Sequence, residues 1–223
     1  MASARAATVR VMRARRLVPG LGLALALSLL VGAFALGAAG AATVPDPPAT
    51  PQVLVVGDSL AVGTEPYLTG LLANRQVTFD AVMGRTTPEG LRALRERLQE
   101  VRPQTVVISL GTNDGSDPGR FASRIHRVLD AIPADACVVW STVHRPPRKG
   151  EYLGLNRVLR RIADRDPRLT LVNWDHAVDR GAVELPDTVH PDPAGFLYRS
   201  RLFAHAVHEG CASQASPPGG AGA

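Results

Sequence analysis

Short apolar runs alternate with longer amphipathic segments through the middle of the chain. The apolar runs are rich in valine and isoleucine, which is typical of strands buried on both faces of a parallel sheet. Five runs predict strands: Val53–Val56, Val77–Val82, Thr105–Leu110, Cys137–Val143 and Leu169–Trp174. The second run alternates apolar and polar residues more than the others do, which favours an edge position.

The segments between these runs carry apolar residues at helical spacing. Three stripes stand out: Leu91, Leu94, Leu98 and Val101; Phe121, Ile125, Val128, Leu129 and Ile132; Tyr152, Leu155, Val158, Leu159 and Ile162. Helix starts are indicated by a capping box at Thr86 and Glu89 and by an aspartate before proline at Asp117 and Asp192. Five strands alternating with five helices predict an α/β fold, a three-layer α/β/α sandwich around a five-stranded parallel sheet.

Residues 1–42 have the pattern of an export signal. Five arginines and no acid precede an uncharged stretch, Leu17–Val44, and small residues, Ala39-Gly40-Ala41, resemble a cleavage site. The same stretch is long enough to be an uncleaved anchor, with the arginines on the cytoplasmic side. Both alternatives export the remainder of the chain, as a secreted protein or one anchored to the outer face of the cytoplasmic membrane.

The formal net charge of +5 belongs to this N-terminal segment. Residues 43–223 carry 20 basic and 20 acidic groups, so they lack the excess positive charge that a nucleic-acid surface needs. The membrane is therefore expected as a partner only through the N-terminal segment, and nucleic acid not at all. The sequence also has a single lysine, Lys149, and no Walker A motif.

The remaining chain divides into three parts. Residues 43–51 contain four prolines and predict a stiff linker, residues 52–211 form one domain, and residues 212–223 are small and polar and predict a disordered tail. Sequence leaves the oligomeric state open.

Residues that could take part in catalysis follow the predicted strands, which is where the sites of open α/β sheets form. Ser59 lies in Gly57-Asp58-Ser59-Leu60 after the first strand, Gly84 follows the second, and Asn113 lies in Gly111-Thr112-Asn113-Asp114 after the third. Each segment by itself is also ordinary turn chemistry. Together they offer a nucleophile, a close-approaching backbone N–H and an amide donor for an oxyanion.

The segment Asp187-Thr188-Val189-His190 precedes the last predicted helix. A neutral imidazole can take a serine proton when a carboxylate holds its other nitrogen, although a lone Asp-x-x-His is also a common surface turn. Asp58, Asp114, Asp187 and His190 could also be imagined as metal ligands, but the serine arrangement explains these residues better, and no metal or cofactor is implied.

These four blocks resemble the SGNH, or GDSL, esterase/lipase superfamily over roughly residues 52–208. The resemblance implies a flavodoxin-like sheet and a serine carboxylic-ester hydrolase. Ser59 would be the nucleophile, His190 the general base and acid, and Asp187 the residue that orients it. The Ser59 and Gly84 amides and the Asn113 side chain would hold the oxyanion.

The implied fold bears on the two cysteines, which by themselves could be paired or free. Cys137 would begin the fourth strand and Cys211 would follow the last helix, both opposite the site, which favours a disulfide between them. Three residues near the site are candidates for substrate binding: Arg85, Asp114 and His144.

The sequence therefore predicts an exported serine esterase that hydrolyses O-acyl esters through an acyl-serine intermediate. Among small-molecule and polysaccharide esters, we expect the substrate to be O-acetyl groups of cell-envelope carbohydrate. Alternatives are an O-acyltransferase with the same triad, a lipase or lysophospholipase-type esterase, and a catalytically silent envelope-binding module.

Overall fold

The computed structural model describes residues 50–146 and 150–211. The predicted export signal, most of the linker and the predicted tail lie outside these residues. Among the described residues, no helix has both the length and the apolar character needed to cross a bilayer.

Five parallel strands form one sheet in the order β2-β1-β3-β4-β5, so the predicted fold class is confirmed. The strands are β1 (Gln52–Gly57), β2 (Gln76–Ala81), β3 (Thr105–Ser109), β4 (Cys137–Ser141) and β5 (Leu169–Val172). The alternating segment is β2, and it occupies an edge of the sheet, as predicted.

The last three strands end one or two residues before their predicted ends. Leu110, Val143 and Trp174 lie beyond the strands but are as buried as the strands themselves. Buried apolar residues therefore continue past the strands, into loops after β3 and β4 and into the start of a helix after β5, and hydrophobicity alone does not mark where pairing stops.

In the described part of the chain, six α-helices connect and follow the strands: α1 (Ser59–Leu71), α2 (Thr87–Glu100), α3 (Pro118–Ala131), α4 (Leu153–Ala163), α5 (Trp174–Asp179) and α6 (Pro193–His205). A π-helical turn, Ala206–Gly210, extends α6. The capping box of α2 is present, and Asp117 and Asp192 cap α3 and α6 through their carboxylates. The short helix α5 was not predicted, because its single turn and a half carries too few apolar positions for a stripe.

Helices cover both faces of the sheet and bury alternate residues of each strand. Leu54 and Val56 of β1 face α2, α3 and α4, whereas Val53 and Val55 face α1 and α6. Because both faces are buried, the central strands are apolar throughout. Parallel strands place all their carboxyl ends at one edge of the sheet, and the predicted site residues follow those ends.

A disulfide joins Cys137 and Cys211, as the family resemblance implied. Cys137 is the first residue of β4, and Cys211 follows the π-helical turn. The bond therefore lies where β4 begins, opposite the carboxyl ends of the strands that carry the candidate site. It closes a segment with a sequence separation of 74 residues. Such a link removes conformational freedom from the unfolded chain.

We expect the double variant Cys137→Ser/Cys211→Ser to lose about 2–4 kcal/mol of unfolding free energy and to keep its activity while folded. Urea unfolding with and without a thiol reductant measures the loss. Reduced wild-type protein should match the double variant, and the variant should be insensitive to the reductant. Equal stability of oxidised wild type and variant would contradict the expectation.

Candidate active site

Ser59 is the first residue of α1, and Asp58 alone separates it from the last residue of β1, Gly57. The turn is tight, since a Cβ on Gly57 would lie 2.3 Å from the Cβ of Ala61 and 3.1 Å from that of Ser109. Asp58 caps the helix by accepting a hydrogen bond from the Leu60 amide at 3.0 Å. The half-buried Ser59 hydroxyl therefore stands at the positive end of a helix dipole, beside amides that have no partner within the helix.

The imidazole of His190 links Ser59 to Asp187. Its Nε2 lies 2.7 Å from the Ser59 Oγ, and its Nδ1 lies 2.7 Å from an oxygen of Asp187. With the proton on Nδ1, the ring donates to the carboxylate and accepts from the serine hydroxyl. This is the arrangement that lets a serine lose its proton as it attacks a carbonyl carbon.

The Asp187 carboxylate is fixed by its own loop. One oxygen accepts the amides of His190 at 2.6 Å and Val189 at 2.9 Å, and the other accepts the His190 ring. The His190 amide and ring and the Val189 amide hold the pKa of Asp187 well below its usual range, so the carboxylate stays ionised. Thr188 adopts a positive φ of 73°, unfavourable for a β-branched residue, within this turn.

Two loops bring oxyanion-hole candidates to the nucleophile turn. The side-chain amide of Asn113 donates to the carbonyl of Arg85 at 3.2 Å and, more weakly, to Asp58 at 3.5 Å. Gly84, directly before Arg85, has a φ of +75° in a turn closed by a bond from the Arg85 amide to the Val82 carbonyl at 3.2 Å. No atom would obstruct a Cβ on Gly84, so its conformation, and not space, accounts for the glycine.

Comparison with known proteins agrees with this geometry. Residues 55–196 match the model of the GDSL-like lipase/acylhydrolase family. The chain belongs to this family. The match contains Ser59, Asn113, Asp187 and His190.

Three relatives illustrate the similarity. An arylesterase of Vibrio mimicus is 28% identical over 164 residues, which cover 65% of this chain and 82% of the arylesterase. Among solved structures, a lipase/acylhydrolase from Enterococcus faecalis superposes with a TM-score of 0.63 at 16% identity, covering 70% of this chain and 95% of the other. The catalytic domain of Streptococcus pneumoniae peptidoglycan O-acetyltransferase A gives 0.59 at 20% identity, with coverages of 74% and 93%.

In this GDSL-family chain Asp114 lies beneath the site and does not reach the substrate side. Its carboxylate has no exposed surface, accepts the amide and hydroxyl of Thr87 at 3.0 and 2.6 Å, and forms an ion pair with Arg124. The expectation that Asp114 binds substrate is therefore not supported. Asp114 anchors the loop of Asn113 to the start of α2.

Arg145 holds the same loop from the other side and was missed by sequence reasoning. Its buried guanidinium donates to the carbonyls of Gly111, Thr112 and Asp114, on both sides of Asn113. A lone arginine after a strand gives no indication of where its side chain points. The structure shows that Arg145 fixes the backbone from which the Asn113 amide projects.

Arg85 also differs from its expected role. Its guanidinium bonds the carboxylate of Asp80 at 2.7 Å and reaches the backbone carbonyls of Asp80 and Gly57. Although burial opposes the effect, Arg85 and Arg97 lower the pKa of Asp80 and keep it charged. The Arg85 guanidinium is therefore paired with Asp80 of the same chain. Arg85 contacts the candidate site residue Asn113 through its backbone carbonyl.

His144 lies on the wall of an apolar cavity of about 480 Å³ that Thr188, from the loop between Asp187 and His190, also lines. The cavity is lined by His144, Arg145, Pro146, Tyr152, Val178, Leu185 and Thr188. The His144 ring lies 5.2 Å from the Tyr152 ring and its Nε2 is 3.7 Å from an oxygen of Asp179. Burial lowers the pKa of His144, which favours the neutral form. His144 and Thr188 line the same cavity, and the role of His144 in substrate binding stays a prediction.

No cluster of three or more metal-ligating side chains occurs within residues 50–146 and 150–211. The groups that the site brings together are the Ser59 hydroxyl, the His190 imidazole and the Asp187 carboxylate.

We expect Asn113→Ala to lower kcat for ester hydrolysis about 10²-fold with little change in KM, because it removes a donor to the oxyanion. The carboxylate variant Asn113→Asp should be at least as impaired, since it places a second negative charge near the oxyanion. Steady-state kinetics on one ester measure both. A change confined to KM would assign Asn113 to ground-state binding instead.

Proposed function

We propose that the chain is an exported serine esterase that hydrolyses O-acyl esters through an acyl-serine intermediate. The hydrogen-bonded series Ser59–His190–Asp187 carries this proposal, because its two 2.7 Å contacts fit proton transfer. A silent binding module has no need of this geometry.

The first half-reaction forms the acyl-serine. The Ser59 Oγ bonds to the ester carbonyl carbon as its proton passes to the Nε2 of His190. The carbonyl oxygen becomes an oxyanion, held by the Ser59 and Gly84 amides and the Asn113 side chain. As the intermediate collapses, the bond to the alcohol oxygen breaks, and this oxygen takes the proton from His190.

The second half-reaction uses water. His190 takes a proton from the water as its oxygen bonds to the acyl carbon, and the Ser59 Oγ leaves and recovers that proton. The carboxylic acid is released and both residues return to their starting states. Throughout, Asp187 holds the ring in orientation and stabilises the imidazolium, since its carboxylate remains ionised.

For the substrate, we propose O-acetyl groups of cell-envelope carbohydrate. The predicted export signal in residues 1–42 supports this location, as does the similarity to the domain of an enzyme named for peptidoglycan O-acetyl transfer. The apolar cavity next to Thr188 favours a second candidate, an ester with a larger apolar acyl or aryl group, which agrees with the arylesterase relative.

A fluorophosphonate probe tests the proposed mechanism. The wild-type protein should be labelled on Ser59, as located by mass spectrometry, and Ser59→Ala should not be labelled. A folded wild-type protein that stays unlabelled would remove the esterase assignment.

Substrate choice is tested by comparing acetyl release from O-acetylated cell-wall polysaccharide with hydrolysis of aryl esters from acetate to octanoate. Preference for the polysaccharide supports the carbohydrate proposal. Rising kcat/KM from acetate to longer esters would instead favour the second candidate and assign the apolar cavity to the acyl chain.

A further inference from the structure

Arg199 of α6 is an arginine buried in the apolar layer below the site. It is 1% exposed, and its guanidinium carbon lies 4.6 Å from the Trp174 ring centre and 5.1 Å from that of Phe203. One nitrogen donates to the Ser109 hydroxyl at 3.0 Å, whereas Nε and Nη1 have no hydrogen-bond partner among the described residues. A buried cation with free donors is costly unless a nearby anion compensates it.

The compensating anion is Asp58, the residue before the nucleophile. Its side chain is fully buried, and burial raises its pKa to about 6, with the charge of Arg199 acting in the opposite direction. Burial likewise lowers the pKa of Arg199 to about 10, opposed by the charge of Asp58. The two interact through their charges without a hydrogen bond between them, each favouring the ionised form of the other.

Ser109 links Arg199 and Asp58 through hydrogen bonds. Its hydroxyl accepts the bond from Arg199, and its backbone carbonyl accepts the Asp58 amide at 3.0 Å. Arg199 is thus joined to the nucleophile turn through a central strand as well as through charge.

The ionised form of Asp58 organises the site from below. Its carboxylate accepts the Leu60 amide that begins α1 at 3.0 Å and, more weakly, the Asn113 side chain at 3.5 Å. A protonated carboxyl has fewer free acceptor positions and donates one hydrogen itself. Protonation would therefore loosen the contacts that Asp58 makes with the Asn113 loop.

We propose that Arg199 is a positioning residue for this reaction: by keeping Asp58 ionised, it holds the start of α1 and the Asn113 amide in place around Ser59. The proposal rests on the proposed esterase function of Ser59. The charged or titratable side chains that act on Asp58 are Arg199 and His190, and Arg85 reaches the adjacent Gly57 carbonyl at 3.5 Å.

The test compares Arg199→Met, which removes the charge at similar volume, with Arg199→Lys, which keeps it. Exposed Arg201 on the same helix supplies a matched control, Arg201→Met. In Arg199→Met, the acid limb of kcat/KM should move at least about one pH unit upward, which is about a fivefold loss at pH 6 for a limb centred near that pH and approaches about tenfold at lower pH. Arg199→Lys should keep the acid limb of kcat/KM close to its wild-type pH, and Arg201→Met should match wild type.

A double-mutant cycle with Asp58→Asn separates charge from packing, because asparagine can still cap α1. In the Asp58→Asn background, Arg199→Met should neither move the acid limb nor change kcat/KM more than about twofold. An equal loss at every pH, or the same loss in both backgrounds, would show that Arg199 only packs and would overturn the proposal. If Arg199→Met does not fold, Arg199→Gln takes its place.

A second measurement does not depend on catalysis. Carbon NMR of the Asp58 carboxyl should show its titration midpoint rise by at least about one pH unit in Arg199→Met. An unmoved midpoint overturns the positioning role. Absence of ester hydrolysis and of probe labelling in wild type would instead contradict the proposed function, while the NMR titration would still decide the influence of Arg199 on Asp58.

Discussion

Replacing Ser59 with alanine should lower kcat for ester hydrolysis by about 10⁴–10⁶-fold, with the remaining rate coming from substrate binding and the oxyanion donors. In the proposed mechanism, the hydroxyl is the only part of the series Ser59–His190–Asp187 that forms a bond to the acyl carbon. The substitution removes one oxygen from a half-buried position at a helix start, so the fold should survive. Initial rates on an aryl ester, with circular dichroism to verify folding, measure the effect.

Ser123→Ala is the matched control, since Ser123 is an exposed serine that bonds only its own helix, to the Gly119 carbonyl at 3.1 Å. It should retain wild-type kcat. A Ser59→Ala protein with more than a tenth of wild-type activity would show that another group attacks the ester.

Replacing Asp187 with asparagine should lower kcat about 10³–10⁴-fold. Asparagine has nearly the same shape as aspartate, but its side-chain nitrogen cannot accept a hydrogen bond. It therefore cannot accept from the His190 ring and from both backbone amides, as the two oxygens of Asp187 do. It also removes the negative charge that stabilises the imidazolium. Because Asp187 is 58% exposed, solvent can replace part of that charge effect, and we expect the loss to stay below that of Ser59→Ala.

Asp130→Asn, at an exposed position of α3, controls for the loss of one surface charge and should leave kcat unchanged. Kinetics across pH 5–9 complete the test. If Asp187→Asn keeps kcat within threefold of wild type, the orientation of His190 depends on other contacts.

Much of the fold could be predicted from sequence because its determinants are local. Valine-rich runs gave the strands, and the capping residues gave the starts of α2, α3 and α6. The edge position of β2 followed from its alternation. The ends of β3, β4 and β5 could not be predicted, because Leu110, Val143 and Trp174 stay buried after pairing stops.

The candidate site, like the fold, could be predicted from sequence only in part. The grouping of Ser59, Asp187 and His190 could be predicted because short motifs carry them and the topology brings their loops together. Arg85 and Asp114 were placed in the right loops but with the wrong contacts, since the direction of a side chain depends on partners far along the chain. Arg145 was missed for the same reason.

Arg199 offered a signal that could have been used. It lies three residues after Phe196 and four before Phe203, on the stripe of α6 that a core-facing helix keeps apolar. Arginine is among the residues least often fully buried, so its presence on that stripe already indicates a special environment. Which carboxylate accompanies it could be learned only from the packed structure.

The contact between Ser59 and His190 joins residues 131 positions apart. Loop closure over such a distance comes late in folding, because the ordering of the intervening chain must be offset by other contacts first. A partly synthesised chain that stops before Asp187 would already contain Ser59, Gly84 and Asn113, yet it would lack the proposed base, His190. Hydrolytic activity therefore reports on the completed tertiary structure, and during refolding it should appear no earlier than the slowest native signal.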